Sequence, residues 1–490
     1  MTKNKTAVFL VAPLIPALAY MISREVSLHY STLLILGVIY GLVLLAGGLN
    51  FQQMIIYGLT AYLPFSKQIS ESFGHFGSAL NFTNILVALA AASWVLAKPA
   101  QGERRWEPTP LNLPLFAFIL IGIFSIFRFT LYGGDYLASA CIEYSQRWGI
   151  PLLLYFVVFH IARDKATIRN LAVLIMTAVV VVALMSSIDY LTIGGGDLDD
   201  ARVRGITNDP NLLAAFFNYY TFLFLGFFLV YFRRVRYWSI LPLFLICFRG
   251  MMVTFSRAGY LAFFAASSAV VFIRSKIGFL LLILAAWFVF QNPVLLPRGI
   301  RYRLGQTVEK NPAPQRPAAS VEDSLDPSAK ARLEVWRGAL WMIREHPVLG
   351  VGYSLFPNKI QHYWSGKTPI DAHNTYLLIA AEMGIPALFI FLWMIGLMFW
   401  NAFSLYGKTA DLFSKSMALG FMGGIVGFVV SNLFGSRHNA QEVSSYFWIL
   451  AAMVMRLKIL DRKEQTLREV TEGYRRLHEV AVEATSCNIA

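Results

Sequence analysis

His373 lies in the run Asp371-Ala372-His373-Asn374-Thr375-Tyr376-Leu377, where a long polar stretch gives way to an apolar one. A neutral imidazole at such a place can take a proton from an attacking hydroxyl, with Asp371 or Asn374 to orient the ring. The structural alternative is a histidine at a helix start, with Asn374 or Thr375 as the cap. His346, His362 and His438 rank below it for the same role. Arginines stand in the same segments: Arg202, Arg204, Arg257, Arg298, Arg301, Arg303, Arg332, Arg337, Arg344 and Arg437. A guanidinium binds phosphate oxygens in a bidentate fork and keeps its charge at every relevant pH. Arginines gathered around one histidine therefore suggest a site for a phosphate or pyrophosphate group with a base beside it. For any single arginine the alternative is snorkelling to lipid headgroups. Arg257 favours the binding reading, because Thr254-Phe255-Ser256-Arg257-Ala258-Gly259 is a tight turn between apolar runs with little else that is polar.

The elements that must carry these residues are membrane helices. The chain has 490 residues, 57% hydrophobic and 14% charged, where a soluble chain would carry about 25% charged residues. Apolar runs long enough to span a bilayer recur at 31–48, 79–97, 171–193, 210–231, 277–291 and 417–434. The alternation of an outer-membrane barrel is missing. The fold class expected is an all-α polytopic bundle of about 12–14 transmembrane helices, 51–65 and 148–161 being its weakest spans. Lys3 and Lys5 before an apolar run make 1–21 an uncleaved first helix.

The formal net charge of +14 is explained by topology. Basic segments at 98–105, 163–169, 233–236, 274–276 and 456–476 belong on the cytoplasmic side, and the sequence allows an even number of spans between successive ones. The segments left outside are 194–209, the turn at Ser256 and Arg257, and one large periplasmic loop, 292–372. The arginines above lie in these outer segments, against the topological bias; beside spans, Arg204, Arg257 and Arg437 carry the most weight. Within the loop, 311–330 is rich in Pro, Ala and Ser and reads as flexible. Next, Leu333, Trp336, Leu340 and Ile343 fall at helical spacing, an amphipathic helix with Arg332, Arg337 and Arg344 at its edges. Expected regions are N-terminal transmembrane helices at 1–203, a catalytic membrane region at 204–457, and a cytoplasmic basic tail at 458–490, helical, with Leu460, Leu467 and Val470 at helical intervals.

Other chemistries find little support. The three cysteines, Cys141, Cys247 and Cys487, have no metal or disulfide spacing. Asp199 and Asp200 are adjacent without a partner set, so no metal is expected. Gly194-Gly195-Gly196 reads as a turn, not a nucleotide loop, and no nucleic-acid module is present.

Four motifs occur in order: Arg204-Gly205-Ile206-Thr207-Asn208-Asp209-Pro210-Asn211; Phe255-Ser256-Arg257-Ala258-Gly259; His346-Pro347-Val348-Leu349-Gly350-Val351-Gly352-Tyr353; and His373-Asn374-Thr375-Tyr376-Leu377, continued by Glu382-Met383-Gly384-Ile385-Pro386. With the multi-span pattern and the large outer loop, this set resembles the O-antigen ligase and O-antigen polymerase superfamily over about 204–434. The resemblance implies a bacterial inner-membrane glycosyltransferase with its site facing the periplasm. Its donor would be an undecaprenyl-pyrophosphate-linked glycan and its acceptor lipid A-core or another glycan, with no cofactor, no metal and no nucleic acid. By the same resemblance Arg204 and Arg257 hold the donor pyrophosphate, His373 is the general base, and transfer inverts the anomeric centre. Arg337, Arg437, Asn211, Asn374 and Tyr376 are further substrate-binding candidates. Asp209 departs from the expected Gly-Asn-Pro-Asn type of turn, leaving open whether it takes part in catalysis or caps a helix. Ligase is favoured slightly over polymerase, which shares its chemistry. Protein O-glycosylation is less favoured, because the tail after the last span is short, basic and on the wrong side. A transporter or flippase would predict charges inside several helices and repeated halves, which the chain lacks.

Overall fold

The computed structural model describes residues 13–18, 50–67, 69, 82–97, 106–128, 134–193, 202–295, 301, 327–364 and 370–487. Outside them fall all but 13–18 of the expected helix 1–21, the span 31–48, the basic segment 98–105, the triple-glycine turn, most of 311–330, and Arg298 and Arg303. Among the described residues every regular element is helical.

In chain order these are α1 (Phe51–Tyr62), α2 (Phe82–Leu96), α3 (Asn112–Phe127), α4 (Gly134–Tyr144), α5 (Ile150–Ile161), α6 (Lys165–Thr192), α7 (Pro210–Tyr231), α8 (Ile240–Met252), α9 (Arg257–Arg274), α10 (Lys276–Gln291), α11 (Pro327–Glu345), α12 (Thr375–Met383), α13 (Ile385–Lys408), α14 (Leu412–Leu433) and α15 (Gln441–Cys487). Seven of the helices are long and apolar enough to cross a membrane, and three shorter ones are apolar. The chain is a multi-pass membrane protein. Polar side chains start the helices where the sequence breaks: Asp164 accepts from Thr167 N–H before α6, Ser275 from Gly278 before α10, and Asp411 from Ser414 before α14.

Two readings change. The weak span 148–161 is the second half of a longer helix, because α4 runs into α5 through one wide turn, Ser145–Gly149. There the N–H of Ile150 reaches back to Ser145, and the next residue, Pro151, has no N–H to offer. The amphipathic helix exists as α11, with its buried face turned by about one residue. Val335, Ala339 and Met342 are buried, whereas Leu340 is 56% exposed. α15 continues unbroken from the last span into the basic tail, where Leu467 and Val470 are exposed.

Basic residues from separate segments meet at one end of the bundle. Lys165 pairs with Glu464 at 2.7 Å, Lys463 with Glu107 at 2.9 Å, and Arg274 donates to the Leu229 carbonyl at 3.2 Å. Arg456, buried, joins Glu107 and the Phe159 carbonyl. At the opposite end lie residues 202–211, 252–257, 371–375 and 434–441.

The centre of the bundle is α7 packed antiparallel on α14 with no side chain between them. A Cβ on Gly427 would come within 2.1 Å of the Asn218 carbonyl oxygen, one on Gly424 within 2.4 Å of the Tyr219 oxygen, and one on Gly226 within 2.6 Å of Gly420 N. Lipid tails are as apolar as the helices, so such close backbone approach is what favours association in a membrane. Gly427→Leu should therefore destabilise the protein by about 1–3 kcal/mol or more through overpacking. Thermal unfolding in detergent should show a lowered midpoint for it and an unchanged one for Gly396→Ala, whose added Cβ meets nothing within 4 Å.

Candidate functional site

Three turns at the non-basic end share one local design. Asn208, Phe255 and His373 have φ of 56°, 47° and 49°, in the left-handed region that side chains rarely adopt. Each precedes a residue whose side chain caps the next helix. Asp209 accepts from the Asn211 and Leu212 N–H groups to start α7, Ser256 from Gly259 to start α9, and Asn374 from Tyr376 and Leu377 to start α12. The first, second and fourth of the motifs quoted above are these turns.

His373 is half-buried, with Nδ1 at 3.7 Å from the nearer Asp371 oxygen. Asp371 is itself fixed: Ser436 Oγ donates to both its oxygens, at 3.1 and 2.9 Å, and the His373 N–H donates to one at 3.1 Å. Across from them, Arg437 lies 4.0 Å from Asp209, with its side chain 12% exposed. The charges of Arg332, Arg437 and Asp209 all reach the imidazole. Burial pushes the His373 pKa below its ordinary value; Arg332 and Arg437 add to this, and Asp371 and Asp209 oppose it. The ring is thus held neutral, the form in which it accepts a proton.

Asn432, fully buried, ties these pieces together. Its Oδ1 accepts from Thr375 Oγ1 at 2.7 Å and from the N–H groups of Arg437 and His438 at 3.1 Å each. Its Nδ2 donates to the Tyr219 hydroxyl at 2.8 Å and to the Phe428 carbonyl at 2.9 Å. The turn bearing Arg437, the helix that follows His373, and α7 therefore share one amide.

The candidates of the sequence separate accordingly. Arg204 is exposed in the turn before α7, and Arg257, half-buried, is the first residue of α9. Their two turns are joined through Asn211, whose Oδ1 accepts from Arg202 at 3.0 Å and from Ser256 Oγ at 2.9 Å. Asn374 spends its side-chain oxygen on the helix cap, and the Tyr376 hydroxyl donates to the Val429 carbonyl of α14 at 2.9 Å. Arg337 lies on the exposed side of α11. Asp209 both caps α7 and faces Arg437. His438 is buried; burial pushes its pKa down to about 3, and its Nδ1 meets Thr375 Oγ1 at 3.1 Å, so it is a neutral strut. His346 and His362 are exposed.

Sequence reasoning missed Arg332 as a neighbour of His373, and missed Ser436, Asn432 and Lys67. Lys67 donates to the Thr207 carbonyl at 3.2 Å. Only Arg332 left a signal, as an arginine at helical spacing from Trp336. Among the described residues no group of three His, Cys, Asp or Glu is placed to hold a metal ion.

The Gly-rich third motif and its continuation hold the backbone together. Val351 and Gly352 N–H groups donate to the Ala381 and Glu382 carbonyls at 2.8 and 3.1 Å, and Ile385 to Pro347 at 2.8 Å. Gly350 at φ 63° and Gly384 at φ 87° leave no room for a Cβ there, with backbone atoms 2.4 and 2.1 Å from where it would stand.

The family model described as O-Antigen ligase matches residues 242–392, the stretch from α8 through α11 and His373 into α13. No curated protein matches the chain.

The electrostatics can be read directly by diethyl pyrocarbonate, which acylates neutral imidazole. Peptide mapping should show His373 modified with a midpoint below the ordinary histidine value near 6.5, and His438 protected in the folded protein. Asp371 favours the protonated ring, so Asp371→Asn should move the His373 midpoint further down. A midpoint at or above 6.5 would contradict the site as described.

Proposed function

With residues 242–392 similar to the O-Antigen ligase family model, we propose that the protein is a membrane glycosyltransferase. It moves a glycan from undecaprenyl pyrophosphate to a lipid A-core or other surface acceptor at the periplasmic face of the inner membrane. The observation that carries this reading is the set of turns that holds a neutral His373 beside Asp371 and facing Arg437.

In this reading the acceptor oxygen bonds to the anomeric carbon as His373 takes its proton. The bond from that carbon to the pyrophosphate oxygen breaks, the electron pair leaves with the pyrophosphate, and attack from the opposite face inverts the centre. Arg204, Arg257 and Arg437 stabilise the charge that builds on the leaving group. The N-termini of α7, α9 and α12 turn their positive dipole ends to the same end of the bundle. A pyrophosphate is stable as an anion, so its departure needs no acid. Asp371 holds the imidazole by charge and supports the imidazolium once formed.

Deletion of the gene in its host, complemented with wild type or His373→Ala, tests this. For a ligase, the deletion and the His373→Ala strain should both leave long glycans stranded on the lipid carrier, with the variant present at wild-type level. Single repeat units on the acceptor would instead identify a polymerase. A His373→Ala strain that matches wild type would remove the histidine from the mechanism. Arg204→Ala and Arg257→Ala should each slow transfer by about 100–1,000-fold, the usual loss when one donor to developing charge is removed.

A further inference from the structure

α15 leaves the basic end of the bundle with an apolar stripe uncovered. Thr409 Oγ1 donates to Asp461 at 2.6 Å, Lys165 pairs with Glu464, and Gln465 donates to the Lys408 carbonyl at 3.4 Å. From Thr466 to Arg476 every residue is exposed. Three of them are large and apolar: Leu467 is 66% exposed, Val470 50% and Tyr474 72%.

The sequence sorts this stretch by sevens. With Leu467 as a first position, Leu467, Val470, Tyr474 and Leu477 fill first and fourth positions, and Ala481 and Ala484 continue the spacing. Between 466 and 479 the charged residues are Arg468, Glu469, Glu472, Arg475, Arg476 and Glu479. All fall at second, third or sixth positions, away from the stripe. The positions that flank it hold Thr466, Thr471, Gly473 and His478. A helix resting on a bundle or a bilayer has a wider apolar face. A stripe confined to first and fourth positions is the seam of a coiled coil.

The course of the helix points the same way. α15 is continuous from Gln441 to Cys487, so its axis carries the stripe away from the bilayer rather than along it. At 1.5 Å per residue, Tyr474 stands about 16 Å past Lys463. All copies of the chain in one membrane carry this tail on the same side. Two such helices meet parallel and in register, first position against first position. The residues flanking the seam set no like charges of the two helices against each other. Confinement to one membrane raises their effective concentration, which sustains a seam too short to hold free chains together.

We infer that the tail of α15 is a dimerisation surface, forming a parallel two-stranded coil with a second copy of this chain. The inference is independent of the glycosyl-transfer reading.

Cysteine scanning of the full-length protein, in host membranes and after purification into nanodiscs, tests it. Cys487→Ser serves as background. Leu467→Cys, Val470→Cys and Tyr474→Cys should each convert most of the chain to a disulfide-linked dimer under mild oxidation. Arg468→Cys and Glu472→Cys, on the outer face, should stay monomeric, because their sulfurs lie too far apart to bridge. Light scattering of the purified wild type should give the mass of a dimer. Leu467→Glu combined with Val470→Glu should reduce that to a monomer with an unchanged thermal midpoint, and Glu472→Gln should leave the dimer intact. Equal cross-linking at all five positions, or none at 467 and 470, overturns the inference. So does a cross-link from 467 or 470 to a different protein in the host membrane.

Discussion

The backbone contact between α7 and α14 is the constraint on which the site depends. The turn with Asp209 and Asn211 opens α7; Asn432 and Arg437 sit at the end of α14 and just past it. The 4.0 Å between Asp209 and Arg437 and the 2.8 Å from Asn432 to Tyr219 exist only because glycines at 420, 424 and 427 let the two helices approach without side chains between them. Ionic contacts could not do this work alone, since a pair at 4 Å with a partly exposed carboxylate is worth little. Packing sets the separation, and the charges use it.

On that frame the three turns repeat one solution to one problem: a chain re-entering the bundle must satisfy the first N–H groups of a helix while changing direction sharply. A left-handed residue makes the change of direction, at about 1–2 kcal/mol for a residue with a Cβ. A cap returns about 1 kcal/mol by satisfying the orphan donors. At 208 the left-handed residue is asparagine, which tolerates the conformation. At 373 it is histidine, which also enters this region more readily than most side chains, and at 255 it is phenylalanine, which does not favour it. The turn at His373 is held by its own N–H bonded to Asp371 and by Thr375 bonded to Asn432. The same two bonds fix where the ring can stand.

Much of this was legible because it is local. Caps such as Asp209, Ser256 and Asn374 are recognisable by residue type, and apolar length announces the spans. What was not legible depends on phase or on distant partners. Nothing in the sequence says that Phe255 and His373 turn left-handed. The docked face of α11 was assigned to Leu333, Trp336, Leu340 and Ile343 because those are the bulky residues, yet close packing on α12 selects the small stripe of Val335 and Ala339 and so brings Arg332 inward. The span 148–161 reads as short in the sequence because Glu143 and Arg147 interrupt the apolar run before it; the two pair with each other, which makes the interruption tolerable within one longer helix. The glycine motif at 346–353 travelled with the catalytic motifs in the reading, while its role is to clasp the backbone at 381–385.

The charges around His373 also carry an argument about order. Two arginines and two carboxylates act on the ring, and burial tips the balance toward the neutral form. A pyrophosphate seated against Arg437, as in the proposed reaction, would offset one of the influences that oppose protonation. The imidazole would then become a stronger base once substrate is in place, and the imidazolium formed by proton transfer would face a bound anion. A site arranged this way keeps its base uncharged while empty and gains basicity from the group whose departure the proton transfer accompanies. Arg437 would therefore serve both substrate binding and the tuning of the base.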